Sequence, residues 1–297
     1  MSTDPRPFGR LLTAMVTPFT PDGALDLDGA QVLAAHLVDE QRNDALVISG
    51  TGGESPTTTD AEKESLIRAV AEAIGNRARI VAGVGTNNTA HSVELARAAE
   101  KAGAHGLLVV TPYYNKPSQA GVAKHFTTIA DSTGLPVMVY DIPHRTGIPI
   151  ATETLLRVAE HRGIVAVKDA KGDLAGTSEV LRRTDLAYYS GEDASTLPWL
   201  SIGAVGVVGT STHFVGATTK DMILAYERGD VAGALALHRQ ALPLFTGIFR
   251  APGTVLVKAG LNALGRPAGP VRLPLVDATA EQLDQLRKDA AEAGIVL

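Results

Sequence analysis

The stretch Ile164-Val165-Ala166-Val167-Lys168-Asp169-Ala170-Lys171-Gly172 decides the fold. Its first four residues are apolar, with no alternate position left for water, as in a parallel strand covered on both faces. Charge and glycine then take over at once, which marks a strand end and a loop. Working outward, comparable runs lie at 11–16, 45–49, 79–84, 106–110, 136–140, 186–190 and 205–209. Segments such as 60–74, 89–102 and 118–131 lie between them, rich in Ala, Leu, Glu and Arg, with apolar residues three and four apart. Strand followed by helix, repeated eight times, predicts a closed (β/α)₈ TIM barrel in preference to an open doubly wound sheet. The barrel is expected over 1–225. Residues 226–297 read as a C-terminal helical appendage, with helices at 231–242 and 280–293 and with Pro243, Pro252, Pro267, Pro270 and Pro274 cutting it into short pieces.

Length agrees, since 297 residues accommodate one barrel of about 250 plus a tail. Lys and Arg number 27 against 32 Asp and Glu, a net charge of −5, so nothing suggests a nucleic-acid partner. The chain has no cysteine, which excludes disulfides, thiolate nucleophiles and cysteine-ligated metal. MSTDPRPFGR has no apolar run behind it, and no segment reaches about 18 apolar residues, so a soluble cytoplasmic protein without a membrane partner is expected. The eight histidines are dispersed, and neither a dinucleotide-type nor a Walker-type glycine loop is present, so no metal and no nucleotide cofactor is expected.

Catalytic groups of such a barrel sit where the strands end at their C-terminal side. Lys168 closes an apolar strand, where desolvation disfavours the ammonium and frees the amine that attacks a ketone. The plainer alternative is a lysine snorkelling at the strand end or paired with Asp169. Lys171, two residues into a glycine-containing loop, reads as solvated. Tyr140 ends the preceding strand and could relay protons into the same mouth, or simply be an amphipathic residue at the core edge. Thr51 lies in Gly50-Thr51-Gly52-Gly53-Glu54-Ser55, whose backbone N–H groups could receive a carboxylate. Arg145, between Pro143 and Thr146-Gly147, suits bidentate carboxylate recognition, although surface arginines are commoner.

The loops GTGGES, TPYYNKP, YDIPHRTG and VKDAKG, followed by SGED and GAVGVVG, occur in the order and approximate spacing of the dihydrodipicolinate synthase family, and the chain resembles that family over essentially its whole length. The resemblance implies condensation of pyruvate with L-aspartate 4-semialdehyde through a covalent imine on Lys168, with no cofactor. It implies that Tyr140 shuttles protons, that Thr51 links it to Tyr114 reaching in from a neighbouring subunit, and that Arg145 holds the semialdehyde carboxylate. Gly191 and Val208 occupy positions lining the pyruvate pocket, and a homotetramer built as a dimer of dimers is implied.

Two departures stand out. The family loop usually reads GTTGE, whereas residue 52 is glycine here, so one hydroxyl toward the pyruvate carboxylate is missing; a lost hydrogen bond to a charged group costs about 1.5–3 kcal/mol. At the positions that form a lysine-inhibition cleft in sensitive members, this chain has Asp60, Lys63 and His91 beside Ser55, Asn87 and Tyr113. Lys63 would repel a cationic ligand, so weak or absent lysine feedback is expected. The alternative within the scaffold is an N-acetylneuraminate or 2-keto-3-deoxy-sugar-acid lyase, against which Arg145 and Tyr114 speak. A non-catalytic keto-acid-binding barrel is the alternative from another class.

Overall fold

Eight short parallel strands pair in chain order: β1 (Leu11–Ala14), β2 (Ala45–Ile48), β3 (Arg79–Gly83), β4 (Gly106–Val110), β5 (Val137–Asp141), β6 (Ile164–Asp169), β7 (Ala187–Ser190) and β8 (Gly206–Gly209). In the computed structural model, which describes residues 6–297, β8 also pairs with β1 through Leu12↔Val208, so the barrel is closed. Alternate residues divide between two apolar environments. Leu12, Val47, Val81, Leu108, Met138 and Val208 fill the interior, while Leu46, Ile80, Leu107, Val139 and Val167 pack outward under the helices. That two-sided burial is why the strands read as continuous apolar runs. Some runs outlast the strands they predict: Met15, Val16 and Val84 stay buried beyond the ends of β1 and β3.

Helix starts follow local chemistry. Thr59 and Glu62 form a reciprocal capping box on Asp60–Ile74, and Asn88, Ser118 and Asp173 each accept an N–H from the first turn of the helix that follows. Beyond β8, helices Thr212–Glu227, Val231–Gly247, Gly253–Ala263 and Ala280–Glu292 complete the chain. Residue 225, the expected boundary, falls inside the first of these. Phe214, Leu244, Phe245, Leu256, Leu261 and Leu286 from the four helices join the same apolar cluster as the barrel's outer helices.

One expectation is overturned here: Pro243 does not end its helix, which runs on to Gly247. An interior proline costs about 3 kcal/mol by removing a donor and crowding the preceding turn. The carbonyl that loses its donor belongs to the exposed Arg239, where water can serve it, while Leu244 and Phe245 just beyond are buried. Their burial outweighs the break.

Candidate active site

Adjacent strands deliver the central pair. The β5–β6 ladder aligns Tyr140 with Lys168, and Asp141 with Asp169 in the next rung. Because side chains alternate, Tyr140 and Lys168 point inward while Asp141 and Asp169 point toward the helices. Lys168 therefore does not pair with Asp169, one of the alternatives the sequence left open. Its Nζ instead lies 4.2 Å from the centroid of the Tyr140 ring. Burial lowers the Lys168 pKa to about 8, with Asp193 and Glu192 resisting that fall and Arg145 adding to it. With that value about one amine in ten is neutral at pH 7, against one in a few thousand for an unperturbed lysine.

Tyr140 is itself buried, and burial raises its pKa; the Arg145 charge and a hydrogen bond with the Thr51 hydroxyl oppose the rise, while Glu192 adds to it. Thr51 and Tyr140, far apart in sequence, are thus brought together. Both line a cavity of about 550 Å³ at the C-terminal mouth of the barrel, with Glu54, Tyr113, Arg145 and Thr254. Arg145 sits on a single helical turn, Pro143–Thr146, that Gly147 closes in the left-handed region. Among the described residues its guanidinium makes no ion pair, so an exposed positive charge is left at the mouth. Val208 faces the barrel interior. Gly191 donates to Asp169 O at 2.7 Å, and a Cβ there would stand 3.0 Å from that oxygen, which leaves little room for a side chain.

Of the predicted residues, Thr51, Tyr140 and Arg145 line this cavity, whereas Lys168, Gly52, Gly191, Val208 and Tyr114 are not among its lining residues; Tyr114 stands apart from all of them. It is 88% exposed and held at φ 71, a conformation that a bulky residue adopts only under constraint. Gly52 lies so close to β1 that a Cβ would stand 2.9 Å from Ala14 O.

Lys171 is not solvated. It folds back so that Nζ donates to Ile150 O at 3.0 Å and lies 3.4 Å from Asp141 Oδ2. The cause is the outward carboxylate pair: Asp141 accepts from Ile150 N–H, Asp169 from the N–H groups of Lys171 and Gly172, and this buried charge draws in the cation. Burial still raises Asp141 to a pKa of about 6, with Lys171 and the Ile150 N–H pulling the other way. Asp193 and Glu192 were also missed as site residues. The quoted SGED placed them in a loop, but only the closed barrel sets their charges beside Lys168. Asp193 is locked by Ser211 Oγ at 2.6 Å and by the Thr210 N–H.

Fold and site together are those of a barrel lyase of the class I aldolase type. The model of the dihydrodipicolinate synthetase family matches residues 7–293, and the chain belongs to that family. The 4-hydroxy-tetrahydrodipicolinate synthase of Acidothermus cellulolyticus is 69% identical over 99% of this chain and 95% of its own. The 4-hydroxy-tetrahydrodipicolinate synthase 2 of Streptomyces coelicolor is 61% identical over 100% of this chain and 99% of its own. Among solved structures, that of DHDPS from Cyanidioschyzon merolae with lysine bound superposes with a TM-score of 0.95 at 42% identity, covering 98% of this chain and 99% of that one.

Proposed function

We propose that this barrel condenses pyruvate with L-aspartate 4-semialdehyde to give 4-hydroxy-tetrahydrodipicolinate, in lysine and diaminopimelate biosynthesis. The observation that carries the reading is the buried, pKa-lowered Lys168 amine against the Tyr140 ring, with Thr51 and Arg145 at one mouth. The neutral amine attacks C2 of pyruvate, and loss of water leaves the imine. Removal of a methyl proton gives the enamine, whose carbon attacks the aldehyde of the second substrate; the new alkoxide takes up a proton. The semialdehyde's own amine then adds to the imine carbon and displaces Lys168, so the ring closes as the enzyme is regenerated.

Tyr140, hydrogen-bonded to Thr51, is the group that moves protons at the imine nitrogen and the carbinolamine oxygen. Its high pKa keeps it a donor, able to give a proton and recover it through the hydroxyl network. Backbone N–H groups of the 50–55 loop, with Gly52 among them, receive the pyruvate carboxylate, and Gly191 and Val208 shape the pocket around its carbon atoms. Arg145 holds the carboxylate of the semialdehyde. No organic cofactor or metal enters this scheme, because the covalent imine is itself the electron sink.

The near-complete exposure of Tyr114 supports a neighbouring subunit as its destination, hence a dimer at least, and we read the assembly as a dimer of dimers. Substrates of amino-acid biosynthesis support a cytoplasmic setting, and no helix among the described residues is long and apolar enough to cross a membrane. Borohydride reduction in the presence of pyruvate, followed by peptide mass analysis, tests the chemistry: an adduct on Lys168 is expected, and an adduct elsewhere or none refutes it. Product analysis with aspartate semialdehyde, against pyruvate plus N-acetylmannosamine or glyceraldehyde, separates the synthase from a sugar-acid lyase.

A further inference from the structure

The 50–55 loop has two consecutive glycines, Gly52 and Gly53, and so has no side chains at its centre with which to anchor itself. Its internal turn bonds are Gly53 N–H to Gly50 O at 3.1 Å, Glu54 N–H to Thr51 O at 3.2 Å and Ser55 N–H to Gly50 O at 3.4 Å. The remaining restraints come from outside. Thr17 Oγ1 donates to Gly53 O at 2.7 Å, and Thr254, on the appendage helix Gly253–Ala263, donates to Gly52 O at 3.2 Å. One turn further along that helix, Lys258 places Nζ 2.7 Å from Glu54 Oε1, with both side chains almost wholly buried at 2% and 1% exposure. The other Glu54 oxygen accepts the Arg272 N–H at 2.8 Å, and the Arg272 guanidinium donates to Thr57 O at 2.8 Å. Phe19 lies between the two cations, 4.1 Å from Lys258 Nζ and 4.0 Å from Arg272 Cζ.

We propose that Thr254 and Lys258 are positioning residues of the keto-acid site: from the appendage they hold the glycine-rich loop so that its N–H groups converge on the pyruvate carboxylate. The inference rests on the reading of the reaction given above. A buried ion pair adds little stability over an apolar pair of the same volume, because desolvation consumes most of the attraction. What Glu54 and Lys258 do supply is position: Lys258 Nζ donates to Pro270 O at 2.7 Å and, from that anchored place, its charge holds the Glu54 carboxylate in a dry site. Thr254 acts one peptide from Thr51, on the residue that lacks the family's usual side chain. Two adjacent glycines would otherwise sample many conformations; Thr17 of the barrel holds Gly53 O, and the hold on Gly52 O comes from the appendage.

The test uses the full-length protein and the pyruvate concentration that gives half-maximal borohydride trapping on Lys168. Thr254→Val keeps the shape and removes the donor. Half-saturation is expected to rise about three- to tenfold, as loss of one neutral hydrogen bond implies, with maximal trapping and melting temperature little changed. Thr254→Ser should restore it, and a serine variant no better than valine overturns the inference. Val257→Ala is the control for general loosening of the helix: Val257 is buried on the same helix, and the variant should melt earlier without moving half-saturation. A shift equal to that of Thr254→Val would overturn positioning. Glu54→Gln with Lys258→Met replaces the ion pair by a neutral pair of similar shape and should raise half-saturation likewise; an unchanged value removes Lys258 from the proposal. Wild-type protein that yields no adduct overturns the reaction and this inference together. A wild-type adduct with unchanged half-saturation in Thr254→Val overturns this inference alone.

Discussion

Gly52→Thr returns the side chain that the family's loop usually carries, yet the geometry predicts that it damages the site. A Cβ at residue 52 would stand 2.9 Å from Ala14 O, about 0.4–0.7 Å inside the separation at which carbon normally meets a carbonyl oxygen. Neither side gives way freely. Ala14 ends β1, and the loop is held by Thr254 at Gly52 O and by Thr17 at Gly53 O. Overpacking of this kind costs about 1–3 kcal/mol, and the lower chain entropy of a non-glycine residue in the unfolded state returns about 0.4–1 kcal/mol. A net loss of about 1–2 kcal/mol corresponds to a fall of roughly 1.5–3 °C in melting temperature for a chain of this size. A hydroxyl in an undisturbed loop would contribute about 1.5–3 kcal/mol to pyruvate binding, tenfold or more. Here the loop must shift by several tenths of an ångström, which misaligns the N–H groups that we propose receive the same carboxylate. Thermal unfolding and pyruvate saturation of Gly52→Thr and Gly52→Ala decide the matter. Both variants should melt below wild type, and neither should bind pyruvate more tightly. A threonine variant that melts at or above wild type and half-saturates at a tenfold lower pyruvate concentration would refute the steric reasoning.

Four further outcomes follow from the same geometry. The rate of imine formation in single-turnover trapping should rise with pH through about 8, because burial lowers the Lys168 pKa and the proposed reaction uses the free amine as nucleophile; a rate flat from pH 6.5 to 9 would contradict this. Asp141 is raised to about 6, so the folded state holds its proton at pH values where the unfolded chain has lost it, and stability should fall as pH rises from about 4 to about 6. Asp141→Asn should flatten that part of the melting-temperature profile. L-Lysine at millimolar concentration should inhibit little, since the buried Lys63 already places an ammonium in the cleft, its Nζ donating to Thr58 O and lying 4.0 Å from Asp60 Oδ1; a micromolar inhibition constant would count against it. Finally, mixing Tyr114→Phe with Lys168→Ala subunits should regain part of the activity if Tyr114 serves the neighbouring site, and mixed dimers with no gain would place its role within one chain.

Much of the site was legible in the sequence because a parallel barrel makes it so. An uninterrupted apolar run followed by a charged or hydroxylated residue marks a strand's C-terminal end, and the closed topology gathers those ends at one mouth. Lys168, Tyr140, Thr51 and Arg145 were singled out by that rule together with the family resemblance, and the fold sets Lys168 against the Tyr140 ring with Thr51, Tyr140 and Arg145 lining one cavity. Lys171 was misread because loop composition says nothing about a carboxylate on the preceding strand; its environment depends on Asp141 and Asp169 facing outward side by side on adjacent strands. Pro243 was misread for a related reason, since a local break was outweighed by the burial of Leu244 and Phe245.

By itself, then, the sequence determined the eight β/α units, the closed barrel they form and the strand-end amine, Lys168, to which we assign the covalent step, because these follow from local periodicity and from which residue ends each strand. Only the tertiary structure decided that Lys168 faces Tyr140 and the Glu192–Asp193 charges instead of Asp169, that Gly52 is pressed against Ala14 O, and that Thr254 and Lys258 of the appendage hold the loop beside it. Those features depend on register and on contacts between residues up to 204 positions apart, Glu54 and Lys258, where desolvation and steric fit are set by neighbours that no local pattern encodes.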